Sequence, residues 1–276
     1  MSGLYQLPFK KYRAIKAVNA SSLKDIRHSA LHYKTRQGVD AEGDALDVGT
    51  GTHALVLEPD KYDDEIAVFT GTRRGKVWDE FRRASTEKTI ITAKQDAEVH
   101  QMGASILRHE EAAALLALPS TREGVITWTD PTTGLLCKAR PDWYGLLDGL
   151  WTLVDLKTMQ SIVEHKVQNT VKEYGYDLQL AFYGDGLIAN SLPVEAVKIL
   201  AVQKPTKMDQ TCDVGIFDMQ QWIQDGRNKY EKAMETLIDC RESGKWPGRV
   251  PKTVVLPMPE YAACAGPALT LDGVEI

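Results

Sequence analysis

Apolar residues recur every three or four positions through the N-terminal part of the chain, which is the spacing of helices. Residues 20–36 predict a short amphipathic helix with a basic face, and Ser21 or Ser22 is its expected N-cap. The segment ALDVGTGTHALVLEPD predicts a second helix, which ends at Pro59. The longest helical pattern covers residues 93–117.

After Pro119 the hydrophobic pattern alternates between successive residues, which indicates strands. The segments REGVITWTD and LLCKARPDWYG flank the turn sequence PTTG, and LWTLVDLKT follows them. We therefore expect three consecutive strands that form a meander. Two helical patterns, two strand patterns and a long amphipathic helix come next, in that order. This order predicts an α/β fold, with a mixed central sheet flanked by helices.

No linker or internal repeat divides the chain, so we expect a single domain over residues 1–276. Residues 1–118 would form a mainly helical N-terminal part, and residues 119–245 would form the core sheet with its helices. The tail at 254–276 contains the proline-rich segment PMPEYAACAGP and is expected to be loosely held.

The composition is typical of a soluble globular protein, with 43% hydrophobic and 26% charged residues. Neither a long apolar run nor a signal-peptide pattern is present, so we expect no membrane span and no secretion. The cysteines are widely spaced, which argues against a zinc knuckle and a disulfide framework; they are Cys137, Cys212, Cys240 and Cys264. Reduced thiols in a cytoplasmic protein are the expectation.

The net charge of −5 is unevenly distributed. Residues 1–36 carry eight basic side chains against Asp25 alone, a balance of +7, so the rest of the chain carries −12. A second basic cluster has Trp78 and Phe81 interleaved with Arg73, Arg74, Lys76, Arg82 and Arg83. Each region is either an ordinary solvated surface or a face that binds nucleic acid phosphates.

A charged pair interrupts the apolar strand segment LVDLKTMQ. Asp155 and Lys157 are two residues apart, so in a strand they lie on the same face. Burying charges is costly unless they are paired or bind a metal. The pair is either an ion pair at the rim of a sheet or part of a catalytic site.

A further carboxylate, Asp142, lies near the end of the preceding predicted strand, and in a meander it can converge with Asp155. Two carboxylates brought together repel unless a cation lies between them, and carboxylate oxygens are the ligands that Mg²⁺ or Mn²⁺ prefers. Lys157 could then stabilise the charge that builds on a phosphate under attack. Such a site is suited to phosphodiester hydrolysis.

This set of Asp142, Asp155 and Lys157 resembles the motif of the PD-(D/E)XK nuclease superfamily. Gln179 and Tyr183 lie one helical turn apart in the helix that follows the D-x-K strand, and this pattern resembles the RecB-type branch.

Longer segments are similar to the RecE-type (exonuclease VIII) exonucleases of phages and prophages, and they occur in that family's order. They are SSLKDIRHSALHYK, GTGTHALVLEPDKYDDEIAV, TGLLCKARPDW, VDLKT and YDLQLAFYGDGL. This resemblance extends from about residue 20 to residue 190. It implies a core like that of restriction endonucleases.

The resemblance also implies roles for individual residues. Lys157 would be the catalytic lysine, and Gln179 and Tyr183 would position it or the substrate. Glu123, at the start of the first predicted strand, corresponds to an acidic position that contributes to a second metal in related processive exonucleases. The implied ligands of a Mg²⁺ or Mn²⁺ ion are His53, Asp142, Asp155 and the carbonyl oxygen of Leu156.

Some of these residues also have ordinary structural interpretations. A histidine in an apolar helix, such as His53, is usually a core or capping residue. Gln179 and Tyr183 could be packing positions, because tyrosine commonly buries its ring. Some nucleases of this branch hold an iron–sulfur cluster, but the wide spacing of the cysteines predicts none here.

For DNA binding the sequence singles out Ser22, Lys24 and Arg27 in the first predicted helix, with Arg73 and Arg74 in the second basic cluster. Free N–H groups at a helix N-terminus favour a phosphate, and the neighbouring cations add to that attraction. A solvated surface is the alternative for both regions.

The resemblance implies a metal-dependent exodeoxyribonuclease that acts on the ends of linear double-stranded DNA. It further implies 5′ to 3′ degradation, which leaves 3′ single strands for a phage annealing protein, and a homo-oligomeric ring in the bacterial host cytoplasm. The alternatives are a Cas4-like or RecB-like single-strand nuclease and a catalytically silent DNA-binding subunit.

Overall fold

The computed structural model describes residues 3–37, 43–250, 252–257, 270–271 and 274–275. Its helices are α1 (Phe9–Ala14), α2 (Ala20–His28), α3 (Ala30–Arg36), α4 (Asp44–Leu57), α5 (Tyr62–Glu65), α6 (Lys76–Ala84), α7 (Ala93–Arg108), α8 (Glu110–Ala117), α9 (Glu164–Tyr174), α10 (Tyr176–Ile188) and α11 (Gln220–Ser243). Its strands are β1 (Gly3–Tyr5), β2 (Ile66–Phe69), β3 (Thr89–Thr92), β4 (Ser120–Arg122), β5 (Val125–Thr129), β6 (Leu136–Ala139), β7 (Trp143–Leu147), β8 (Leu150–Met159), β9 (Ala196–Gln203), β10 (Val214–Asp218), β11 (Thr270–Leu271) and β12 (Val274–Glu275).

A mixed sheet of five strands contains the D-x-K motif, and its order is β10-β9-β8-β7-β4. Strand β8 runs parallel to β9, and the other neighbouring strands are antiparallel. The long strand β8 is in the middle, and its apolar, largely buried residues suit a strand that is covered on both faces. The predicted mixed sheet flanked by helices is confirmed.

Hydrophobic clusters cover both faces of this sheet. Leu153 of β8 belongs to one cluster together with Leu23 of α2, and that cluster also includes residues of α10 and α11. The next residue, Val154, belongs to the other cluster, with Met102 of α7. Because successive strand residues point to opposite faces, Asp155 shares the face of Leu153, on the side of α2 and α10.

The predicted three-stranded meander is wrong, because the segment 135–145 forms two strands in two different sheets. Strand β6 pairs with β5 in a second sheet of order β1-β5-β6, whereas β7 pairs with β8. The chain changes sheets at Pro141, which has no N–H to donate to a ladder. Asp142 therefore immediately precedes β7. Its neighbour Trp143 pairs with the residue before Asp155, so the two aspartates lie beside each other.

Two predicted helices are each divided by a residue that caps the following helix. Ser29 separates α2 from α3 within the predicted helix 20–36, and His109 separates α7 from α8 within 93–117. Both residues are extended, and their side chains accept a hydrogen bond from an amide of the next helix. The apolar spacing continues across both breaks, so the hydrophobic pattern alone did not show them.

The predicted N-cap of the first of these helices is also wrong. Asn19 is the N-cap of α2, and its side chain accepts a hydrogen bond of 2.8 Å from the amide of Ser22. The Ser22 hydroxyl in turn accepts a hydrogen bond from the Asn19 amide, which completes a capping box. Neither Ser21 nor Ser22 therefore starts the helix.

The N-terminal part also contains strands, since β2 and β3 form a parallel pair joined by a crossover that includes α6. The predicted tail, residues 254–276, lies mostly outside the described residues. Within the part of the chain that the structure describes, no helix has the length and apolar character needed to cross a membrane.

Candidate active site

The charged pair predicted on β8 is formed, and it is buried. Asp155 is fully buried, and its Oδ2 lies 2.5 Å from Nζ of Lys157. Burial raises the pKa of Asp155 to about 6, although the Lys157 ammonium opposes the shift. The carboxylate is thus held at a cost in solvation that the lysine only partly offsets.

Lys157 is held among anionic and polar groups. Burial would lower the pKa of Lys157, but Asp155 and Asp142 outweigh it, so the pKa is raised and the side chain stays protonated. Its Nζ lies 3.9 Å from Oδ2 of Asp142 and donates a hydrogen bond of 3.2 Å to the carbonyl of Leu156. Nζ also lies 5.2 Å from the centre of the Tyr176 ring.

A backbone contact fixes the orientation of Asp142. The amide of Leu156 donates a hydrogen bond of 2.7 Å to Oδ2 of Asp142, across the start of β7 and the middle of β8. The carbonyl of the same residue faces Lys157, so Leu156 contacts two of the three charged members of the motif through its main chain. That the carbonyl oxygen of Leu156 is a metal ligand stays a prediction.

His53, Glu123 and Asp142 form a group in which one ligand atom from each residue lies within 4.8 Å of the others. Nδ1 of His53 is 3.6 Å from Oδ2 of Asp142 and 3.8 Å from Oε1 of Glu123. Burial lowers the pKa of His53, but Asp142 and Glu123 outweigh that effect and raise it. One imidazole nitrogen and two carboxylates fit a divalent ion such as Mn²⁺ or Mg²⁺. Asp155 is not a member of this group, and its oxygens contact Lys157 and Gln179.

Glu123 has an unusual backbone conformation at this site. It lies in the turn between β4 and β5, and not in the first strand as predicted, and its φ is 52°. A left-handed conformation in a residue other than glycine costs about 1–3 kcal/mol, so neighbouring contacts must maintain it. The Glu123 amide donates to the carbonyl of Asp142, and Arg140 binds both the Glu123 carbonyl and its carboxylate, the latter at 2.8 Å.

Helix α10 brings Gln179 into the site. Its Nε2 donates a hydrogen bond of 3.0 Å to Oδ1 of Asp155. Tyr183, one turn later, is partly buried and packs against the hydrophobic cluster beneath α10. Burial raises the pKa of the Tyr183 hydroxyl well above its usual value, so it stays protonated.

Lys24 on α2 also reaches the site, where its Nζ donates a hydrogen bond of 2.6 Å to Oε1 of Gln179. The other residues that the sequence singled out for DNA binding are placed differently. Ser22 is engaged in the capping box, and Arg27 is exposed one turn after Lys24. Arg73 ties together the elements around it, through hydrogen bonds to the Ile90 carbonyl and other groups, whereas Arg74 is exposed.

The sequence matches a family described as a PDDEXK-like domain of unknown function, DUF3799, over residues 19–254. The chain belongs to this family. The PDDEXK-like assignment confirms the resemblance drawn from Asp142, Asp155 and Lys157, together with the predicted fold class.

A solved structure with a similar fold is that of a candidate exonuclease from Eubacterium rectale. It is 17% identical, with a TM-score of 0.62 over 95% of this chain and 99% of that one. A phage-related exonuclease from Haemophilus somnus 129PT is 12% identical, with a TM-score of 0.34 over 85% of this chain and 100% of that one. No curated protein matches the sequence.

Two residues that contact this candidate site were missed from the sequence. Arg140 bridges Glu123 and Glu58, and its guanidinium lies 5.3 Å from the centre of the Phe9 ring. Tyr176 lies beside both Lys24 and Lys157, at 5.2 Å from each ammonium. An arginine directly before the Pro-Asp of the motif was a local signal for the first. Nothing in the sequence pattern indicated the second, because its contacts come from distant elements.

Proposed function

We propose that this protein is a divalent-metal-dependent exodeoxyribonuclease that acts on the ends of linear double-stranded DNA. The observation that carries the proposal is the protonated Lys157 held between Asp155 and Asp142, next to the group of His53, Glu123 and Asp142. A partly buried ammonium between two carboxylates, beside a group that can hold a metal, suits the hydrolysis of a phosphodiester. The family described as PDDEXK-like supports the same chemistry.

The residues have distinct tasks in this proposal. When bound, a divalent ion supplies Lewis-acid stabilisation of the phosphate oxygens. His53, Glu123 and Asp142 would hold it, with Asp155 and the Leu156 carbonyl as the further ligands expected from the resemblance. Lys157 keeps its proton and stabilises the negative charge that develops on the phosphate as the ester bond breaks.

Gln179 and Arg140 keep the carboxylates in place. Gln179 holds one oxygen of Asp155, and Arg140 holds one oxygen of Glu123. Each carboxylate is thereby oriented with its other oxygen towards a basic side chain of the site. Buried carboxylates need such partners, because a carboxylate that is free to rotate would be a poorer ligand for the metal.

The finer parts of the proposal come from the RecE-type resemblance. We expect 5′ to 3′ degradation that leaves a 3′ single strand for a phage annealing protein, and a homo-oligomeric ring in the cytoplasm of a bacterial host. A ring would enclose the duplex, which explains how a chain of net charge −5 stays on DNA. Ser22, Arg27, Arg73 and Arg74 stay the predicted DNA-binding residues.

One assay tests these statements together. Purified protein with Mg²⁺ is given linear duplex, closed circular duplex and single-stranded DNA of the same sequence, each labelled at one 5′ end where an end exists. We expect rapid release of the 5′ label from linear duplex only, with Lys157→Ala as the inactive control. A preference for single strands would favour a Cas4-like or RecB-like nuclease, cutting of the circle would contradict an exonuclease, and DNA binding without cleavage would favour a silent subunit.

A further inference from the structure

A chain of hydrogen bonds links the N-terminal helix α2 to the D-x-K motif. Nζ of Lys24 donates to Oε1 of Gln179 at 2.6 Å, and Nε2 of Gln179 donates to Oδ1 of Asp155 at 3.0 Å. The first and last members of this chain are far apart in the sequence, on α2 and on β8. The single amide group of Gln179 connects them.

The amide of Gln179 has two different ends, and only one suits Asp155. Its nitrogen donates and its oxygen accepts, so a rotation by half a turn would place the oxygen against a buried carboxylate. The carboxylate of Asp155 only accepts and the ammonium of Lys24 only donates, so together they select the orientation in which the oxygen faces α2 and the nitrogen faces Asp155.

We propose that Lys24 is a positioning residue for the phosphodiester reaction, which acts through Gln179 to orient the carboxylate of Asp155. The inference rests on the proposed nuclease function. It assigns Lys24 to the internal support of the active site, and not to a surface that grips the DNA backbone.

The surroundings of Lys24 agree with an internal role. The residue is partly buried, and its ammonium lies 5.2 Å from the centre of the Tyr176 ring, the ring that Lys157 also approaches. Burial and the nearby Lys157 ammonium lower the pKa of Lys24 to about 7. A neutral amine keeps N–H groups that can donate to Oε1 of Gln179, and the acceptor-only carboxylate of Asp155 still requires the amide nitrogen on its side.

The test is a double-mutant cycle on cleavage of linear duplex under single-turnover conditions at saturating protein. Lys24→Met removes the donor and keeps the aliphatic stem, and Gln179→Met removes both ends of the amide. We expect each variant to slow cleavage by about 10- to 100-fold, the usual effect of losing a residue that orients a metal ligand. The double variant should be no slower than Gln179→Met alone, because the two residues act in series.

Three further measurements separate positioning from folding and from DNA binding. Lys24→Arg, which keeps a donor, should recover most of the rate, and DNA affinity measured in Ca²⁺ should change less than threefold in Lys24→Met. The thermal unfolding temperature should stay close to that of the wild type. Lys232→Met, which removes an exposed lysine on α11, is the control for the loss of one positive charge.

The outcomes are distinguishable. Multiplicative effects in the cycle, or a loss of affinity that accounts for the slower rate, would overturn the inference in favour of a direct phosphate contact. Full activity of Lys24→Met would overturn it outright. If the wild type cuts no DNA with Mg²⁺ or Mn²⁺, the proposed function itself fails, and in that case the thermal unfolding data still report whether Lys24 is needed for the fold.

Discussion

The ammonium of Lys157 lies 2.5 Å from Oδ2 of Asp155, two residues earlier on the same strand, and the carboxylate of this pair is fully buried. If the pair is catalytic, the charge of Asp155 is required for the reaction and not for stability. We expect Asp155→Asn to lower the cleavage rate by at least roughly 100-fold, as when one stabilising group is removed from an active site. The variant should unfold at the same temperature as the wild type or higher, because burial raises the pKa of this acid and so disfavours its charge.

The matched control for that variant is Asp239→Asn, which neutralises an exposed acid on α11. It should leave both the rate and the unfolding temperature unchanged. A large drop in the unfolding temperature of Asp155→Asn, with cleavage retained, would show that the pair is a structural ion pair.

Glu123 and Asp155 are the two candidates for the second carboxylate ligand of the proposed metal site. The structure groups Glu123 with His53 and Asp142, whereas the resemblance implies Asp155 as their partner and Glu123 at a second metal. We expect Mn²⁺ affinity, measured by isothermal titration calorimetry, to fall at least about tenfold in His53→Ala and in Glu123→Gln, since both supply atoms of the group. The fall should be smaller in Asp155→Asn.

His165→Ala, which removes an exposed imidazole on α9, controls for nonspecific binding of Mn²⁺ and should bind as the wild type does. Unchanged affinity in Glu123→Gln together with a large loss in Asp155→Asn would assign the site to the ligands of the resemblance. Calorimetry decides between them without any measurement of cleavage.

Lys24 gives a prediction for stability against pH. Its pKa is about 7 in the folded protein and 10.5 in an ordinary setting. Between these values the unfolded chain holds a proton that the folded protein has released, so the contribution of Lys24 to the free energy of unfolding increases with pH. The free energy of unfolding, measured by urea denaturation, should therefore increase in the wild type relative to Lys24→Met as the pH rises from 7 to about 10.

Lys232→Met again serves as the control, and its stability should run parallel to that of the wild type over the same range. A constant difference between Lys24→Met and the wild type would mean that Lys24 is solvated. Its place in the active site would then need revision.

Lys138 anchors the N-terminal segment in an unusual way. This buried lysine donates hydrogen bonds to the carbonyls of Tyr12, Arg13 and Ile15, at the end of α1. Lys138→Met leaves those carbonyls without their charged donor, and hydrogen bonds to charged groups contribute about 1.5–3 kcal/mol each. We expect a loss of at least about 2 kcal/mol in the free energy of unfolding and faster proteolysis near α1. The exposed Lys11→Met should have neither effect.

Two glycines test how closely α10 and α11 pack. A Cβ on Gly226 would lie 2.2 Å from the carbonyl oxygen of Asp177, whereas a Cβ on Gly184 would meet no heavy atom within 4 Å. Backbone cannot move aside as a flexible side chain can, so Gly226→Ala should destabilise by about 1–3 kcal/mol. Gly184→Ala should gain up to about 1 kcal/mol from helix propensity. Chemical denaturation measures both, and equal effects would contradict this packing.

Local patterns accounted for the parts of the site that lie within one element. The placement of Asp155 and Lys157 on one face follows from the geometry of a strand, and the helix that carries His53 follows from apolar spacing. Gln179 was identified because its spacing from Tyr183 in a helix resembles the RecB-type pattern. These relations need only residues a few positions apart.

Contacts between elements that are distant in the sequence could not be predicted from such local patterns. The switch of the chain between two sheets at Pro141 depends on which strands find partners, and the alternation of residues is the same on both sides of it. Lys24 lies in a basic helical pattern that is as compatible with a DNA-binding surface as with a role inside the site. Only its position against Gln179 distinguishes the two roles.

The separation of Lys24 from Gln179 has a consequence for synthesis of the protein. The two residues are 155 positions apart, and at about 5–20 residues per second a ribosome needs roughly 8–30 s to extend the chain from one to the other. Throughout that time α10, the helix that carries the hydrogen-bond partner of Lys24, has not been completed. Contacts of such long range also form slowly after the chain is released. On a nascent chain the candidate active site is therefore unassembled, and the chemistry that we propose for it begins only once most of the protein has been translated.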